Sequence, residues 1–200
     1  MSKYRTGTLG FFYSEERWKR LEIDDALFAR AQSGQAEAFA QVIEGYEKLI
    51  FNIAYRYMGN REDAEDVAQE AIIKIFSHLY TIDPEGGGKG FKAWTAKITV
   101  NTAIDELRRR KRKYAAETVP EDAELPANTP TPEEETLQRE RMRALQAALQ
   151  RLPDQMRMII ILRDMQGFTY EEMAQVMGCK MGTVKSRLAR ARSALRALFF

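Results

Sequence analysis

One predicted helix carries four oxygen-bearing side chains at the spacing of a single face: Asp63, Asp66, Gln69 and Glu70. Residues three and four positions apart are neighbours on a helix, so this spacing predicts a compact acidic patch. Clustered carboxylates are able to hold a metal ion or to work as an acid–base pair. However, no Glu-x-x-His motif accompanies them, and the single histidine, His78, is not placed to complete a di-metal site. The patch is better interpreted as a solvated face or a docking surface for a basic partner.

A second candidate site lies near the C-terminus, where two short helical patterns flank a tight turn. Thr169 and Glu172 have the spacing of a capping box, and Gly178 suits the left-handed end of the first helix. The second helix begins near Gly182 and repeats apolar residues at helical spacing. Its opposite face carries polar and basic side chains: Lys185, Ser186, Arg190, Arg192 and Arg196. No acidic residue occurs from Lys180 to the C-terminus.

This arrangement is typical of a helix-turn-helix whose second helix enters the major groove of DNA. Basic side chains on that helix are able to pair with phosphates or to fork onto guanine edges. The alternative is a helical hairpin whose charged face is simply solvated. The motif therefore favours DNA binding without indicating which class of DNA-binding protein carries it.

Composition and charge place these two sites in a globular protein with segregated charge. The chain has 200 residues, of which 44% are hydrophobic and 30% charged. These values are those of a soluble protein of one or two domains. Residues 23–113 carry 14 bases and 14 acids, residues 114–136 seven acids and no base, and residues 137–200 12 bases and five acids. The asymmetry predicts a C-terminal domain that faces nucleic acid and an acidic connector before it.

Several other classes of site are excluded by the residues present. A single cysteine, Cys179, excludes an internal disulfide and a cysteine zinc cluster. A phosphate-binding loop is absent, because Lys89 is followed by Gly90 and no strand precedes it. No apolar run approaches the ~20 residues of a membrane span, and residues 1–22 show no continuous apolar core of the kind a signal peptide has. We expect a cytoplasmic protein without membrane insertion and without a cofactor.

The remaining chain reads as helix almost throughout. The periodicity predicts helices from about 24 to 33, 36–57, 61–79, 91–113, 132–151 and 153–165, followed by the helix-turn-helix. No strand-like alternation occurs. Residues 114–132 contain four of the six prolines and several acids, which is typical of an unpacked linker, and the segment is able to span about 60 Å when extended. The predicted fold is therefore all-α, with two helical domains joined by a flexible acidic linker.

The predicted helix over 91–113 is the second element with chemical potential. Apolar residues lie on two of its stripes, so we expect it to pack on more than one side. It ends in six consecutive bases, from Arg108 to Lys113. A run of charge is often only solvated, but at the end of an ordered helix it suits a phosphate backbone.

Four motifs occur in a fixed order around the acidic linker. They are Asp63-Ala-Glu-Asp66-Val-Ala-Gln69-Glu70-Ala, Phe91-Lys-Ala-Trp94 with Ile98-Thr-Val-Asn101-Thr-Ala-Ile-Asp105, Leu152-Pro153, and Gly182-Thr-Val-Lys-Ser-Arg187. In this combination the chain resembles the extracytoplasmic-function (ECF) sigma factors, from about Asp24 to Leu198. The resemblance implies an N-terminal extension (1–22), a sigma region 2-like helical bundle (23–113), the linker (114–131) and a sigma region 4-like helix-turn-helix domain (132–200).

The resemblance also implies partners for the first domain. The acidic helix would dock on the β′ clamp helices of RNA polymerase core through Asp63, Asp66, Gln69 and Glu70. The helix with Trp94 and Asn101 would open the promoter and hold a single-stranded −10 base in a pocket. The implied −10 contacts are Trp94, Lys97, Asn101, Arg108, Arg109 and Arg110.

For the second domain, the resemblance implies binding to the duplex −35 element and docking on the polymerase β flap. The implied −35 contacts are Thr183, Lys185, Ser186, Arg187, Arg190 and Arg192. Lys180 and Ala189 depart from residues common in the family, which affects the −35 sequence that is read. A partner anti-sigma factor is also expected.

Three functions compete. The first is a sigma factor that directs promoter-specific transcription initiation and is not an enzyme. The alternative is a stand-alone helix-turn-helix regulator of duplex DNA, which leaves the acidic helix, the helix with Trp94 and the linker unexplained. The third is a helical metal-dependent enzyme, for which the sequence offers only the carboxylate cluster.

Overall fold

The computed structural model describes residues 23–82, 90–116 and 133–199. These ranges fold into α-helices without any strand, so the all-α prediction is confirmed. In chain order the helices are α1 (Asp25–Gln32), α2 (Ala36–Glu44), α3 (Glu47–Met58), α4 (Arg61–His78), α5 (Phe91–Ala116), α6 (Glu133–Arg151), α7 (Asp154–Ile160), α8 (Tyr170–Met177) and α9 (Met181–Phe199). The extension 1–22 lies outside the described residues, as do 83–89 and 117–132, which hold most of the glycine loop and of the predicted linker.

Short-range chemistry sets most helix ends where the sequence predicted them. Asn60 accepts a hydrogen bond from the Asp63 backbone N–H at 2.9 Å and so caps α4. At α8 the Glu172 backbone N–H donates to Thr169 Oγ1 at 3.1 Å, and the Thr169 N–H donates to Glu172 Oε2 at 2.7 Å. The predicted capping box is thus confirmed. Gly178 ends the helix with a φ of +59°, in the left-handed region that favours glycine.

The single helix predicted over residues 36–57 is wrong, because the chain breaks into α2 and α3 at Gly45 and Tyr46. Tyr46 has φ −106° and ψ −12°, and its N–H donates to the Ile43 carbonyl at 2.7 Å in a tightened turn. The apolar spacing continues through the break, since Tyr46 is itself buried. Its ring meets Phe91 edge-on, with centroids 4.9 Å apart. Tertiary packing therefore overrides a periodic pattern that runs on unbroken.

The N-terminal helix group (α1–α5) packs around α5. The Phe91 ring also meets Phe28, with centroids 5.4 Å apart, and ties α1 to the start of α5. Further along, α5 packs against both α3 and α4. Ala96, Val100 and Ala103 are buried there. The prediction that this helix packs on more than one side is confirmed, whereas an outer side with the exposed residues Lys97, Asn101 and Arg108 faces solvent.

A buried arginine joins α6 and α7 in the C-terminal helix group (α6–α9). Arg157 is 5% exposed, and its guanidinium donates to the Leu149 carbonyl at 2.9 Å and the Gln150 carbonyl at 2.8 Å. These are carbonyls of the last turn of α6, which have no partner within the helix. Arg157 thus bridges the two helices that Pro153 separates and holds α7 against the end of α6. The inward face of α9 packs on α6 and α7. It does so through four residues that are all buried as predicted, Val184, Leu188, Ala191 and Leu195.

The two helix groups contact each other directly. α6 packs on the end of α3, and α8 packs on the start of α5. Buried apolar residues form one cluster that extends across both groups. The sequence did not predict this contact.

Candidate functional site: an acidic helix face and two polar helix stripes

The acidic patch exists on the outer side of α4. Asp66, Gln69 and Glu70 are exposed, and Glu70 Oε1 lies 2.7 Å from Lys74 Nζ one turn further on. The helix turns this face to solvent because Val67, Ala71 and Ile75 occupy the opposite, buried side. Three members of the predicted quartet are therefore available to a partner.

The fourth member, Asp63, is engaged within the protein. Arg110 Nη2 donates to Asp63 Oδ1 at 2.6 Å, Arg110 Nη1 binds the other oxygen, and Arg110 Nε donates to Glu106 Oε1 at 2.6 Å. The hydrogen bond from Arg110 is the main reason that the pKa of the Asp63 carboxyl lies below its usual range. Glu106 is 7% exposed, and its pKa is lowered chiefly by the hydrogen bond from Arg109. A predicted docking residue and a predicted DNA-binding residue thus bind each other and join α4 to α5.

This bidentate pair has a testable acid signature. Because the pKa of Asp63 is lower in the folded protein than the ordinary 3.8, its contribution is complete above about pH 4 and is lost as the pH falls through the lowered value. We expect Asp63→Asn to reduce the unfolding free energy by about 1 kcal/mol at pH 7, allowing for partial exposure. At about pH 3, below the ordinary value, the difference between the variant and the wild type should be smaller than at pH 7, and it should vanish once the pH lies below the lowered pKa of Asp63. Urea unfolding at both pH values measures the difference.

The control for this experiment is Glu65→Gln. Glu65 pairs with Arg61 at 2.7 Å on the same helix, but both side chains are largely exposed, so we expect little loss at either pH. An equal loss for Asp63→Asn at pH 7 and pH 3 would contradict an ionic contribution from this pair.

Apolar side chains that the sequence analysis did not assign to a surface continue the acidic face. Ile73 is 65% exposed, Tyr80 72% and Phe76 46%. Ile73 lies one turn beyond Gln69, and the Phe76 ring leans on Phe39 with centroids 4.8 Å apart. The signal in the sequence was an isoleucine at a position where the helix period demands a polar residue.

α5 presents a second surface along its outer stripe. Trp94, Lys97, Asn101 and Arg108 recur at intervals of three, four and seven residues and therefore share one side of the helix. Lys97, Asn101 and Arg108 are exposed, whereas Trp94 is half-buried, with its ring 5.8 Å from that of Phe91. An aromatic face, an amide and two cations in line are able to stack on a base, read its edge and hold the adjoining phosphates.

The other two predicted contacts at this end of α5 lie apart from that stripe. Arg110 turns towards α4, as described above. Arg109 is exposed but donates to Glu106 Oε2 at 2.7 Å, one turn back on its own helix. The run of bases is therefore divided between internal pairing and a solvent-facing side.

α9 presents the third surface. Lys185, Ser186 and Arg190 are exposed and Thr183 and Arg187 are half-buried, so one side of the N-terminal half of the helix faces solvent. The remaining predicted contact, Arg192, binds Asp164 in the preceding π-helical segment (Ile161–Met165), with Nε donating to Oδ2 at 2.9 Å. Arg192 therefore also holds α9 against the segment Ile161–Met165.

Met181, the first residue of α9, is 44% exposed and was not assigned a role from the sequence. It lies one turn before Lys185, at the end of the helix that enters the groove in a helix-turn-helix. In the sequence, the signal for this residue is a methionine at the start of a basic helix, outside the apolar spacing of that helix.

A metal centre and a membrane-spanning helix are both absent from the part of the chain that the structure describes. Within residues 23–82, 90–116 and 133–199, no three histidine, cysteine or acidic side chains are grouped closely enough to hold a metal ion. None of the helices in these ranges combines the length and apolar character needed to span a membrane.

Comparison with known proteins explains the two halves of the fold. Residues 42–113 match the family "Sigma-70 region 2", and residues 142–195 match "Sigma-70, region 4". The RNA polymerase sigma-H factor of Pseudomonas aeruginosa is 34% identical over 181 residues, which cover 87% of this chain and 92% of that protein. The chain belongs to the ECF RNA polymerase sigma factors. The predicted family is thus confirmed, and the protein directs promoter-specific transcription.

Other ECF sigma factors align over similar lengths. SigE of Mycolicibacterium smegmatis is 37% identical over 157 residues, 78% of this chain and 59% of that protein. The sigma-E factor of Escherichia coli K12 is 33% identical over 179 residues, 86% of this chain and 92% of that protein.

Two solved structures share the arrangement of helices. The sigma factor RpoE of Bartonella quintana, in complex with the anti-sigma factor NepR, matches with a TM-score of 0.60 and 26% identity, over 82% of this chain and 97% of that one. CnrH, in complex with the cytosolic domain of CnrY, matches with a TM-score of 0.61 and 27% identity, over 88% of this chain and 96% of that one.

Proposed function

We propose that this sigma factor binds RNA polymerase core through the exposed face of α4 and opens the −10 element with the outer stripe of α5. The −35 duplex is read by α9. The observation that carries the proposal is the exposure of all three surfaces in one chain, each on a rigid helix held by buried neighbours. Asp66, Gln69 and Glu70 offer acceptors to a basic helical partner on β′, which fixes orientation and speeds encounter.

The promoter contacts divide into two kinds. Lys97, Asn101 and Arg108 follow the half-buried Trp94 along one side of α5, an order suited to a flipped base and its adjoining backbone. Lys185, Ser186 and Arg190 lie on the exposed side of the N-terminal half of α9, where side chains of a recognition helix reach base edges. Arg187 is placed beside them for phosphate, and the same domain docks on the β flap.

No catalytic step is assigned to the chain itself, and we place its action in the cytoplasm, with polymerase and promoter DNA. We further propose regulation by an anti-sigma factor. One of the solved neighbours, the sigma factor RpoE of Bartonella quintana, is in complex with the anti-sigma factor NepR. Co-purification that repeatedly recovers polymerase alone would count against that partner.

Run-off transcription tests the central proposal. Purified core polymerase is incubated with a library of promoter fragments, with and without the chain. We expect discrete transcripts only when the chain is present. Tight site-specific binding of duplex DNA by the chain alone, with no gain in transcription, would instead establish the stand-alone regulator.

A further inference from the structure

The run of six bases at the end of α5 is split between two sides of the helix. Lys111 and Arg112 follow Arg108 at three and four residues, so these three exposed bases, the outer bases, lie on one side. That side is continuous with Asn101, which lies seven residues before Arg108. The outer bases are therefore in line with the stripe proposed to hold the −10 element.

The next two bases, the inner arginines Arg109 and Arg110, lie on a different side, over the carboxylate of Glu106. Arg109 Nε donates to Glu106 Oε2 at 2.7 Å, and Arg110 Nε donates to Glu106 Oε1 at 2.6 Å. Each oxygen thus accepts from one guanidinium. Nη1 and Nη2 of Arg110 bind the Asp63 carboxylate of α4. Two carboxylates and two guanidiniums therefore form one group without net charge.

Glu106 is the buried centre of this group. Its side chain is 8% exposed, whereas those of Arg109 and Arg110 are 74% and 36% exposed. A buried carboxylate that loses a partner keeps a charge that is no longer compensated, which is destabilising. A phosphate that drew one inner arginine away would leave Glu106 in that state. Arg109 is therefore less available to DNA than its exposure alone indicates.

Acidic residues of α4 add to the effect of Glu106. The pKa of Arg109 is raised chiefly by its hydrogen bond to Glu106, and in smaller part by the nearby charge of Glu70. Asp63 holds Arg110 through two hydrogen bonds, the geometry in which a guanidinium and a carboxylate bind most strongly. Negative charge on both α4 and α5 thus favours the internal position of the inner arginines.

We propose that Glu106 is a specificity-determining residue, which withholds the inner arginines from the DNA backbone so that DNA is held by the outer bases. The inference rests on the proposed function, in which α5 meets promoter DNA. A phosphate contact strengthens binding to any sequence, because the backbone carries no sequence information directly. Withholding two bases therefore lowers the affinity for non-promoter DNA, whereas the contacts of the −10 stripe are kept.

The salt dependence of DNA binding counts the bases that hold phosphates. For duplex DNA, each contact contributes about 0.9 to the slope of log affinity against log salt concentration. Arg109→Ala should leave this slope unchanged, because Arg109 is paired internally, whereas Lys111→Ala should reduce it by about 0.9. The two variants are matched, since each removes one exposed base from the same turn of α5.

Glu106→Gln tests the proposal in the opposite direction. Glutamine keeps the shape of the side chain and loses its charge, so Arg109 becomes available while Arg110 remains on Asp63. We expect the slope to rise by about 0.9, and by about 1.8 when Asp63→Asn is added. The control is Glu44→Gln, which removes the same charge from an exposed position on α2 and should match the wild type.

The slopes are measured by fluorescence anisotropy of a labelled duplex without a promoter, titrated with the full-length chain at several salt concentrations. Arg109→Ala truncates an exposed side chain, so it decides the question even if Glu106→Gln does not fold. Equal slopes for Arg109→Ala and Lys111→Ala would overturn the proposal, as would equal slopes for folded Glu106→Gln and Glu44→Gln. A wild type that does not bind at low salt would also overturn it, because no base of the run would then hold DNA.

Transcription measures the consequence for specificity. Core polymerase and the chain transcribe a promoter fragment while non-promoter duplex is added as competitor. We expect Glu106→Gln to be inhibited at a several-fold lower competitor concentration than the wild type, with the same transcript level when no competitor is present. Equal inhibition of the two would refute the role in specificity. If the wild type gives no transcript with core enzyme, the proposed function fails, while the salt slopes still decide whether Glu106 withholds the inner arginines.

Discussion

Asp66→Arg combined with Gln69→Ala is expected to weaken binding to core polymerase by about 100-fold, close to 3 kcal/mol. Both side chains are exposed at the centre of the acidic face, and Asp66 has a basic helical partner in the proposed complex. The arginine removes an attractive charge and adds a repulsive one, whereas the alanine removes an amide able to donate and accept. Titration of labelled chain with core enzyme, at a fixed moderate salt concentration, measures the change.

The fold should survive this substitution, because neither residue contacts the core and both replacements suit a helix. The matched control is Glu44→Arg with Gln41→Ala on α2, which has the same three-residue spacing and the same exposure. It reverses one charge and truncates one amide away from the acidic face. Unchanged affinity of the α4 variant, or an equal loss in the α2 control, would remove α4 from the docking surface.

Raising the salt concentration provides a second check on the same surface. Charge complementarity between exposed groups acts mainly on the rate of encounter and is screened within about 8 Å at physiological ionic strength. The apolar extension of the face, with Ile73 and Tyr80, is insensitive to salt. The difference between wild type and the α4 variant should therefore shrink as salt rises.

The sequence predicted what depends on neighbours along the chain. The caps at Asn60 and Thr169, the glycine end at Gly178 and the inward face of α9 all follow from residues within one or two turns of each other. The acidic face of α4 and the outer stripe of α5 are likewise periodic features. Such features are readable because a helix places residues three and four apart side by side whatever the rest of the fold does.

Features that depend on distant residues were not predictable in this way. Asp63 looked identical to Asp66 in the pattern, yet it lies opposite Arg110, which is 47 positions away, and becomes a structural residue. At the break, the Tyr46 ring packs against Phe91, and the capping of α3 by Gln146 and Gln150 joins residues about 90 apart. The periodic pattern does not indicate such long-range partners, because each of these residues fits the pattern of its own helix.

At the −10 surface, some residues also hold the fold together, whereas others only face solvent. Trp94 is half-buried against Phe91, so its truncation would disturb packing as well as any contact with DNA. Arg109 and Arg110 are tied to Glu106. Asn101 is exposed at the middle of the stripe, between Lys97 and Arg108, and its side chain is removable without loss of a core contact. It is therefore the residue whose substitution separates recognition from folding.

Asn101→Ala is expected to slow promoter opening by about 10- to 100-fold, because an amide bound to a base edge contributes about 1–3 kcal/mol. Binding to the closed duplex should change little, since the base is inside the stack at that stage and the duplex is held through α9. Permanganate reactivity of thymines in the −10 region measures opening, and a footprint over the −35 element measures closed binding. Gln155→Ala, which truncates an exposed amide in the other helix group, should match the wild type in both. If Asn101→Ala melts the −10 region at the wild-type rate, the base is held by another part of α5. A parallel fall in the −35 footprint would point instead to a loss of initial binding.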